Sequence, residues 1–250
     1  MAASLLEEFK IHDIGAPLFS VGGHAISFNT SALFMIVAIC ACTALMVLAM
    51  RPQAVVPGRW QILAEKLYDL VTDMLESGAG ERAKPFFPLL FTIFTFVLFC
   101  NLFGMFPGSL SVTSHFIVNL AIALFLFVVI IIAGFVRHGW HFLMLFTPAG
   151  IPKVLILPMT LIEFISFAVR PFTLTVRLFA NMLAGHILLQ VFSGMVIGLL
   201  TAGWLAGLSI LPMAANIAMT GFEFFVAFLQ AYIYAILASV YLRDAIEMHG

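Results

Sequence analysis

The sequence has very little charge for its length. Only 9% of its 250 residues are Asp, Glu, Lys or Arg, whereas soluble domains carry about 25%. A soluble globular protein is therefore excluded, and the lipid bilayer is the predicted environment. The 11 Lys and Arg residues form no run that could follow a phosphate backbone, and the net charge is −1, so nucleic acid is not a predicted partner.

Cysteine is also scarce, with Cys40, Cys42 and Cys100 all inside apolar runs. A C-x-C pair without further Cys or His nearby is a weak metal-binding pattern, so we interpret the three as buried structural thiols. Neither a metal site nor a cofactor site is predicted. The phosphate-binding pattern G-x-x-x-x-G-K-[ST] is missing too, so the chain is not predicted to be an enzyme by itself.

Long apolar stretches predict an all-α integral membrane protein with about five membrane helices. We expect a single membrane domain over 1–250, with an outer N-terminal segment at 1–32. The predicted membrane helices are 33–50, 86–106, 116–136, 152–192 and 204–242. Segment 59–76 places apolar and charged residues on opposite faces, which predicts an amphipathic interfacial helix, with a small soluble hairpin as the alternative.

The last two membrane helices are too long for simple spans. A straight helix of about 40 residues measures about 60 Å, twice the hydrocarbon thickness of about 30 Å. We therefore expect both helices to be strongly tilted, kinked or near-horizontal. Pro171 and Pro212 are candidate kinks, and the glycine-containing stretch 193–203 predicts the turn between the two helices.

Basic residues predict the orientation. They fall in alternate connections, while the opposite loops, 107–115 and 193–203, hold no Lys or Arg. Cytoplasmic loops carry the excess of basic residues, so the N-terminus is predicted outside and the C-terminus in the cytoplasm. The basic residues used are Arg51, Arg59, Lys66, Arg82, Lys84, Arg137, Lys153 and Arg243.

Arg177 lies where a charge is hard to tolerate. Residues 178–222 contain no Asp, Glu, Lys or Arg. A guanidinium stays protonated at physiological pH, and placing it at the bilayer centre costs about 2.5–3.5 kcal/mol on insertion scales. We therefore take Arg177 as a functional-site candidate that faces a partner, a water cavity or a moving charge.

Two further ionisable residues precede it at intervals of seven. Glu163, Arg170 and Arg177 share one helix face, because seven residues drift by only about 20°. Such ladders of ionisable groups build proton relays in membranes. Simpler interpretations stay open for two of them: Arg170 is consistent with snorkelling or with pairing to Glu163, and Glu163 with solvation near the cytoplasmic surface.

The remaining polar candidates are spread over the same two helices. Glu223 and Gln230 are again seven apart, while Asn181 and His186 follow Arg177 toward the outer side. We expect His186 and Glu223 to face each other or to share waters across the two long helices, because each alone is an expensive intramembrane group. Asn181 is also consistent with a helix-packing hydrogen bond, and His186 with a satisfied interfacial histidine.

Three segments resemble a known family. They are RPFTLTVRLFANMLAGH from Arg170 to His186, QAYIYAILASVYL from Gln230 to Leu242, and NLFGMFP from Asn101 to Pro107. Over residues 30–246 the chain is similar to subunit a of the rotary proton-translocating ATP synthases of the F type. The element Arg-Leu-Phe-Ala-Asn is the most specific part of this resemblance.

The resemblance implies a role for each candidate. Arg177 matches the essential arginine that faces the carboxylates of the rotating c-ring, and Gln230 the glutamine close to it. Asn181, His186 and Glu223 match the half-channel open to the outer side. Glu163 matches the acidic residue of the half-channel open to the cytoplasm.

The resemblance also implies partners and a location. Many bacterial members carry Glu and His in the reverse order at 186 and 223, so this order resembles the mitochondrial and alphaproteobacterial branch. The implied partners are c-ring subunits, b-type peripheral-stalk subunits, protons and the bilayer of a bacterial inner membrane. The alternative is a secondary transporter or proton-antiporter subunit, which needs a second internal repeat; a membrane anchor has no need of Arg177 or Glu223.

Overall fold

The computed structural model describes residues 19–21, 24–26, 29–50, 58–106, 112–146 and 153–246. Helices make up most of these residues. The α-helices are α1 (Thr30–Met50), α2 (Arg59–Ala79), α3 (Phe87–Gly104), α4 (Phe116–His138), α5 (Lys153–Thr201) and α6 (Ile210–Ile246). Short 3-10 helices cover Glu81–Phe86, Val112–Ser114, Gly139–Phe146 and Gly203–Ser209.

Among the described residues, five helical stretches are long and apolar enough to cross a membrane. They are Thr30–Ala49, Glu81–Gly104, Phe116–Leu143, Ile156–Thr201 and Ala206–Ile246. The prediction of an all-α membrane protein with about five membrane helices is thereby confirmed. The sequence analysis did not predict a small antiparallel hairpin of β1 (Phe19–Val21) and β2 (His24–Ile26).

The predicted end of the fourth membrane helix, at residue 192, is wrong. Helix α5 has 49 residues and continues to Thr201, so Ser193, Gly194 and Gly198 lie inside it. Glycine is tolerated there because the apolar surroundings offer the backbone no other hydrogen-bond partner. The chain turns at Gly203, whose φ of 66° is in the left-handed region that favours glycine.

The long fifth membrane segment also begins differently from the prediction. A 3-10 helix covers Gly203–Ser209, and α6 then has 37 residues. Pro212, predicted as a kink, lies in the first turn of α6, where its missing N–H breaks no helical hydrogen bond. Pro158 and Pro171 do lie inside α5. At about 1.5 Å per residue α5 measures about 74 Å, so its strong tilt stays a prediction from length.

Helix α2 has the amphipathic character that the sequence predicts. Its buried face includes Val71, Met74 and Leu75, and Asp69 and Asp73 are exposed on the other side. On the buried side, the hydroxyl of Ser239 in α6 donates to the carbonyl of Met74 at 3.3 Å. The helix therefore packs on the last membrane helix, while its position at the membrane interface stays a prediction.

The chain divides into two compact units. The first unit comprises residues 1–44, 96–115 and 178–231, and the second comprises 45–95, 116–177 and 232–250. The single membrane domain and the outer position of 1–32 stay predictions. The outer segment up to residue 18, Arg51 and the loop residues 107–111 lie outside the described residues.

The predicted burial of all three cysteines is wrong in part. Cys100 is buried, Cys42 is half-buried and Cys40 is exposed. Helix α1 is apolar on all sides, so apolar neighbours in sequence do not distinguish a lipid-facing thiol from a packed one.

Candidate functional site

His186 and Glu223 meet between the two long helices of the first unit. The His186 Nδ1 atom lies 3.7 Å from Glu223 Oε1. The side chains are 17% and 3% exposed, so the carboxylate is almost completely removed from the chain surface. The structure thus brings together the two residues that the sequence analysis expected to face each other.

A second polar contact fixes the register of the same two helices. Asn216 Nδ2 donates to the hydroxyl of Ser193 at 3.0 Å. From the His186–Glu223 contact to this one, the chain advances seven residues in α5 and goes back seven in α6, as antiparallel neighbours require. The contact between His186 and Glu223 is therefore part of a regular helix pairing.

Asn101 in α3 forms a hydrogen bond to α6 one helical turn after Glu223. Its side chain is completely buried, and its Nδ2 donates to the carbonyl of Ala227 at 3.1 Å. The sequence analysis quoted Asn101 in a motif but did not name it as a site residue. The signal was available, because an amide in an apolar membrane span needs a hydrogen-bond partner.

Arg170 is the centre of a charged cluster in the second unit. Its Nη1 donates to Asp244 Oδ2 at 2.9 Å, and its Nη2 lies 3.9 Å from Glu163 Oε1. The guanidinium carbon is also 4.8 Å from the ring centre of Tyr241 and 5.3 Å from that of Phe167, within cation–π range. The structure therefore favours the pairing interpretation of Arg170 over simple snorkelling.

Asp244 is the residue of this cluster that the sequence analysis missed. It lies near the end of α6 beside Arg243, which is one of the basic residues used to predict the orientation. Its side chain is 36% exposed and that of Glu163 is 39% exposed, so both carboxylates reach the chain surface.

Arg177 is exposed on α5. Among the described residues of its own unit, no ion-pair partner of Arg177 is found. An unpaired guanidinium on the surface of a membrane helix is costly unless a further molecule or water meets it. The arrangement leaves a fixed positive charge available to a partner outside this chain.

The two other predicted site residues differ in burial. Gln230 is buried on α6 at 6% exposure, whereas Asn181 is exposed on α5. Within the described ranges, no group of three or more His, Cys, Asp or Glu residues has the arrangement of a metal site.

Comparison with known proteins gives a consistent result. The ATP synthase A chain family matches residues 32–243. The chain is 44% identical to ATP synthase subunit a of Pelagibacter ubique over 250 residues, covering 100% of both chains. It is 45% identical to that of Mesorhizobium japonicum, with 99% of each chain covered, and 47% identical to that of Rhizobium rhizogenes, with 92% of each covered.

Proposed function

The chain belongs to the ATP synthase A chain family, and from this premise we propose that it is the proton-translocating stator subunit of an F-type ATP synthase. The observation that carries the proposal is the exposed Arg177 in a membrane helix, followed by residues 178–222 without a formal charge. Such a charge is retained only where it acts on a partner or a moving ion.

The outer half-channel is formed around His186 and Glu223. Both are ionisable and both are largely removed from the chain surface. Their nearest polar atoms lie 3.7 Å apart, so a small side-chain rotation brings them to hydrogen-bond distance, at which a proton can be transferred. Asn181 and Gln230 supply amides further along the same two helices. These residues deliver protons from the outer side to carboxylates of the rotating c-ring.

The inner half-channel begins at Glu163. Its carboxylate and that of Asp244 flank Arg170 and reach the chain surface, so protons leaving the ring meet acceptors at that surface. Arg170 holds the two carboxylates in place through its contacts of 2.9 Å with Asp244 and 3.9 Å with Glu163. It is a positioning residue rather than a proton carrier, because guanidinium does not release its proton.

Arg177 separates the two paths. In the chain it lies between Glu163 and His186, and its fixed positive charge repels a proton that would pass directly from one half-channel to the other. The same charge lowers the pKa of a ring carboxylate that arrives beside it and so favours release of its proton. Protons then cross the membrane only when the ring rotates.

The proposed partners follow from this role. The exposed face of Arg177 is occupied by the c-ring, and b-type subunits of the peripheral stalk hold the chain against rotation. ATP chemistry takes place on partner subunits. The chain lies in a bacterial inner membrane with its N-terminus periplasmic and its C-terminus cytoplasmic, an orientation supported by the distribution of Lys and Arg.

The decisive experiment replaces Arg177 by alanine in the complete complex. Synthesis of ATP by inverted vesicles under an imposed proton gradient should be abolished, and passive proton leak should rise. The complex should still assemble, because removal of the charge also removes an insertion cost of about 2.5–3.5 kcal/mol. Arg177→Lys should restore synthesis poorly, since an ammonium lacks the planar fork and loses its proton when desolvated.

Arg137→Ala is the matched control. Arg137 is an exposed arginine at the end of α4 and belongs to neither proposed half-channel, so its removal should leave synthesis near the level of the unaltered complex. Near-normal synthesis by an assembled Arg177→Ala complex would refute the proposed mechanism.

A further inference from the structure

Gly185 lies against the carboxylate of Glu223. A Cβ atom at position 185 would be 2.7 Å from Glu223 Oε1, 3.0 Å from its Cδ and 3.3 Å from its Cγ. Oε1 is also the oxygen that lies 3.7 Å from His186 Nδ1. The missing side chain of Gly185 therefore provides the space in which this oxygen faces His186.

Two other glycines of these helices are under no such constraint. A Cβ at Gly198 in α5 or at Gly221 in α6 would have nothing within 4 Å. Glycine in a helix costs about 1 kcal/mol relative to alanine. The close approach of Glu223 explains why this cost is accepted at Gly185. No such contact explains it at Gly198 or Gly221.

We propose that Gly185 is a positioning residue of the proton path: it leaves the space that directs the Glu223 carboxylate toward His186. This inference rests on the proposed role of Glu223 in the outer half-channel. The atom that a methyl group at position 185 would meet is the end of a flexible side chain. The carboxylate therefore moves aside and the helix remains intact, so Gly185→Ala displaces the proton-carrying group without unfolding the chain.

A purely structural role predicts a different outcome. If Gly185 served only to let α5 and α6 approach closely, shortening the side chain at position 223 would not raise proton pumping in a Gly185→Ala variant. If Gly185 makes space for the carboxylate, adding Glu223→Asp should raise proton pumping in that variant. Aspartate is one methylene shorter and keeps its oxygens away from the added methyl group.

The experiment measures ATP-driven proton pumping by the complete complex in inverted vesicles. Gly185→Ala should reduce pumping about ten- to a hundredfold, since a displacement of about 1 Å costs up to about a hundredfold. The matched control Gly198→Ala should pump at the unaltered rate. Adding Glu223→Asp should raise pumping in the Gly185→Ala background and lower it in the Gly198→Ala background.

Each outcome has a definite meaning. Normal pumping by Glu223→Gln would refute the proposed role of Glu223 in the outer half-channel, on which this inference rests. Loss of pumping by Glu223→Gln, together with equal pumping by Gly185→Ala and Gly198→Ala, would overturn the role of Gly185 alone. If Gly185→Ala prevents assembly, restored assembly on adding Glu223→Asp supports the inference, and continued failure overturns it.

Discussion

The ion pair between Arg170 and Asp244 should stabilise the second unit by a measurable amount. Its N–O distance is 2.9 Å, and the two side chains are 20% and 36% exposed. A hydrogen bond to a charged group contributes about 1.5–3 kcal/mol, whereas a fully exposed ion pair contributes at most about 1 kcal/mol. The partial exposure places this pair between the two, at about 1–2 kcal/mol.

Two features of the cluster reduce the effect of removing Asp244 alone. Glu163 lies 3.9 Å from the same guanidinium, so its carboxylate still balances part of the charge of Arg170 when Asp244 is replaced. The rings of Phe167 and Tyr241 continue to hold it at 5.3 Å and 4.8 Å. Asp244→Asn should therefore cost about 1 kcal/mol, and Arg170→Ala about 2–4 kcal/mol, because it also loses both ring contacts and the packing of the aliphatic stem.

The measurement is the free energy of unfolding in mixed micelles with increasing denaturing detergent. Asp73→Asn is the control, since it makes the same chemical change at an exposed carboxylate of α2. A double variant of Arg170 and Asp244 gives the coupling energy directly. The argument is refuted if Asp244→Asn loses no more stability than Asp73→Asn, or if the coupling energy is zero.

Two further outcomes are expected, one from a buried and one from a half-buried polar group of the first unit. Asn101→Leu removes the hydrogen bond to the carbonyl of Ala227 and should cost about 1 kcal/mol of unfolding free energy, whereas the exposed Asn181→Leu should cost much less. Burial lowers the pKa of His115 below its ordinary value, so the unfolded chain takes up the proton first. Stability is then complete above about pH 6.5 and falls as the pH decreases through that value. His115→Gln should flatten this dependence of the unfolding midpoint on pH.

Several parts of the site could be predicted from the sequence because the bilayer penalises charge so strongly. Arg177 and Glu223 stand out in any apolar stretch, since each carries a cost that only function or pairing offsets. The spacing of seven between Glu163 and Arg170 placed both on one helix face, and the structure has them 3.9 Å apart. The expectation that His186 and Glu223 meet followed from the same reasoning about unpaired polar groups.

Helix ends were harder to predict. The glycines and serine at 193–198 indicated a turn, yet α5 continues to Thr201. Glycine and serine favour turns in water, where water molecules satisfy the backbone hydrogen-bonding groups that a turn leaves free. Within a membrane no water does this, so the backbone stays helical. Pro212 was misassigned for a related reason, because a proline has opposite effects in the first turn and in the interior of a helix.

What the sequence by itself determined is the class of protein, its apolar spans and the few charges they contain, because burial in lipid acts on each residue type independently of its neighbours. Tertiary structure alone decided which groups meet: Asp244 with Arg170, Asn101 with the carbonyl of Ala227, and Gly185 with the carboxylate of Glu223. Each of these contacts joins residues far apart in the chain. Their partners depend on how the long helices pack, and local periodicity carries no information about that.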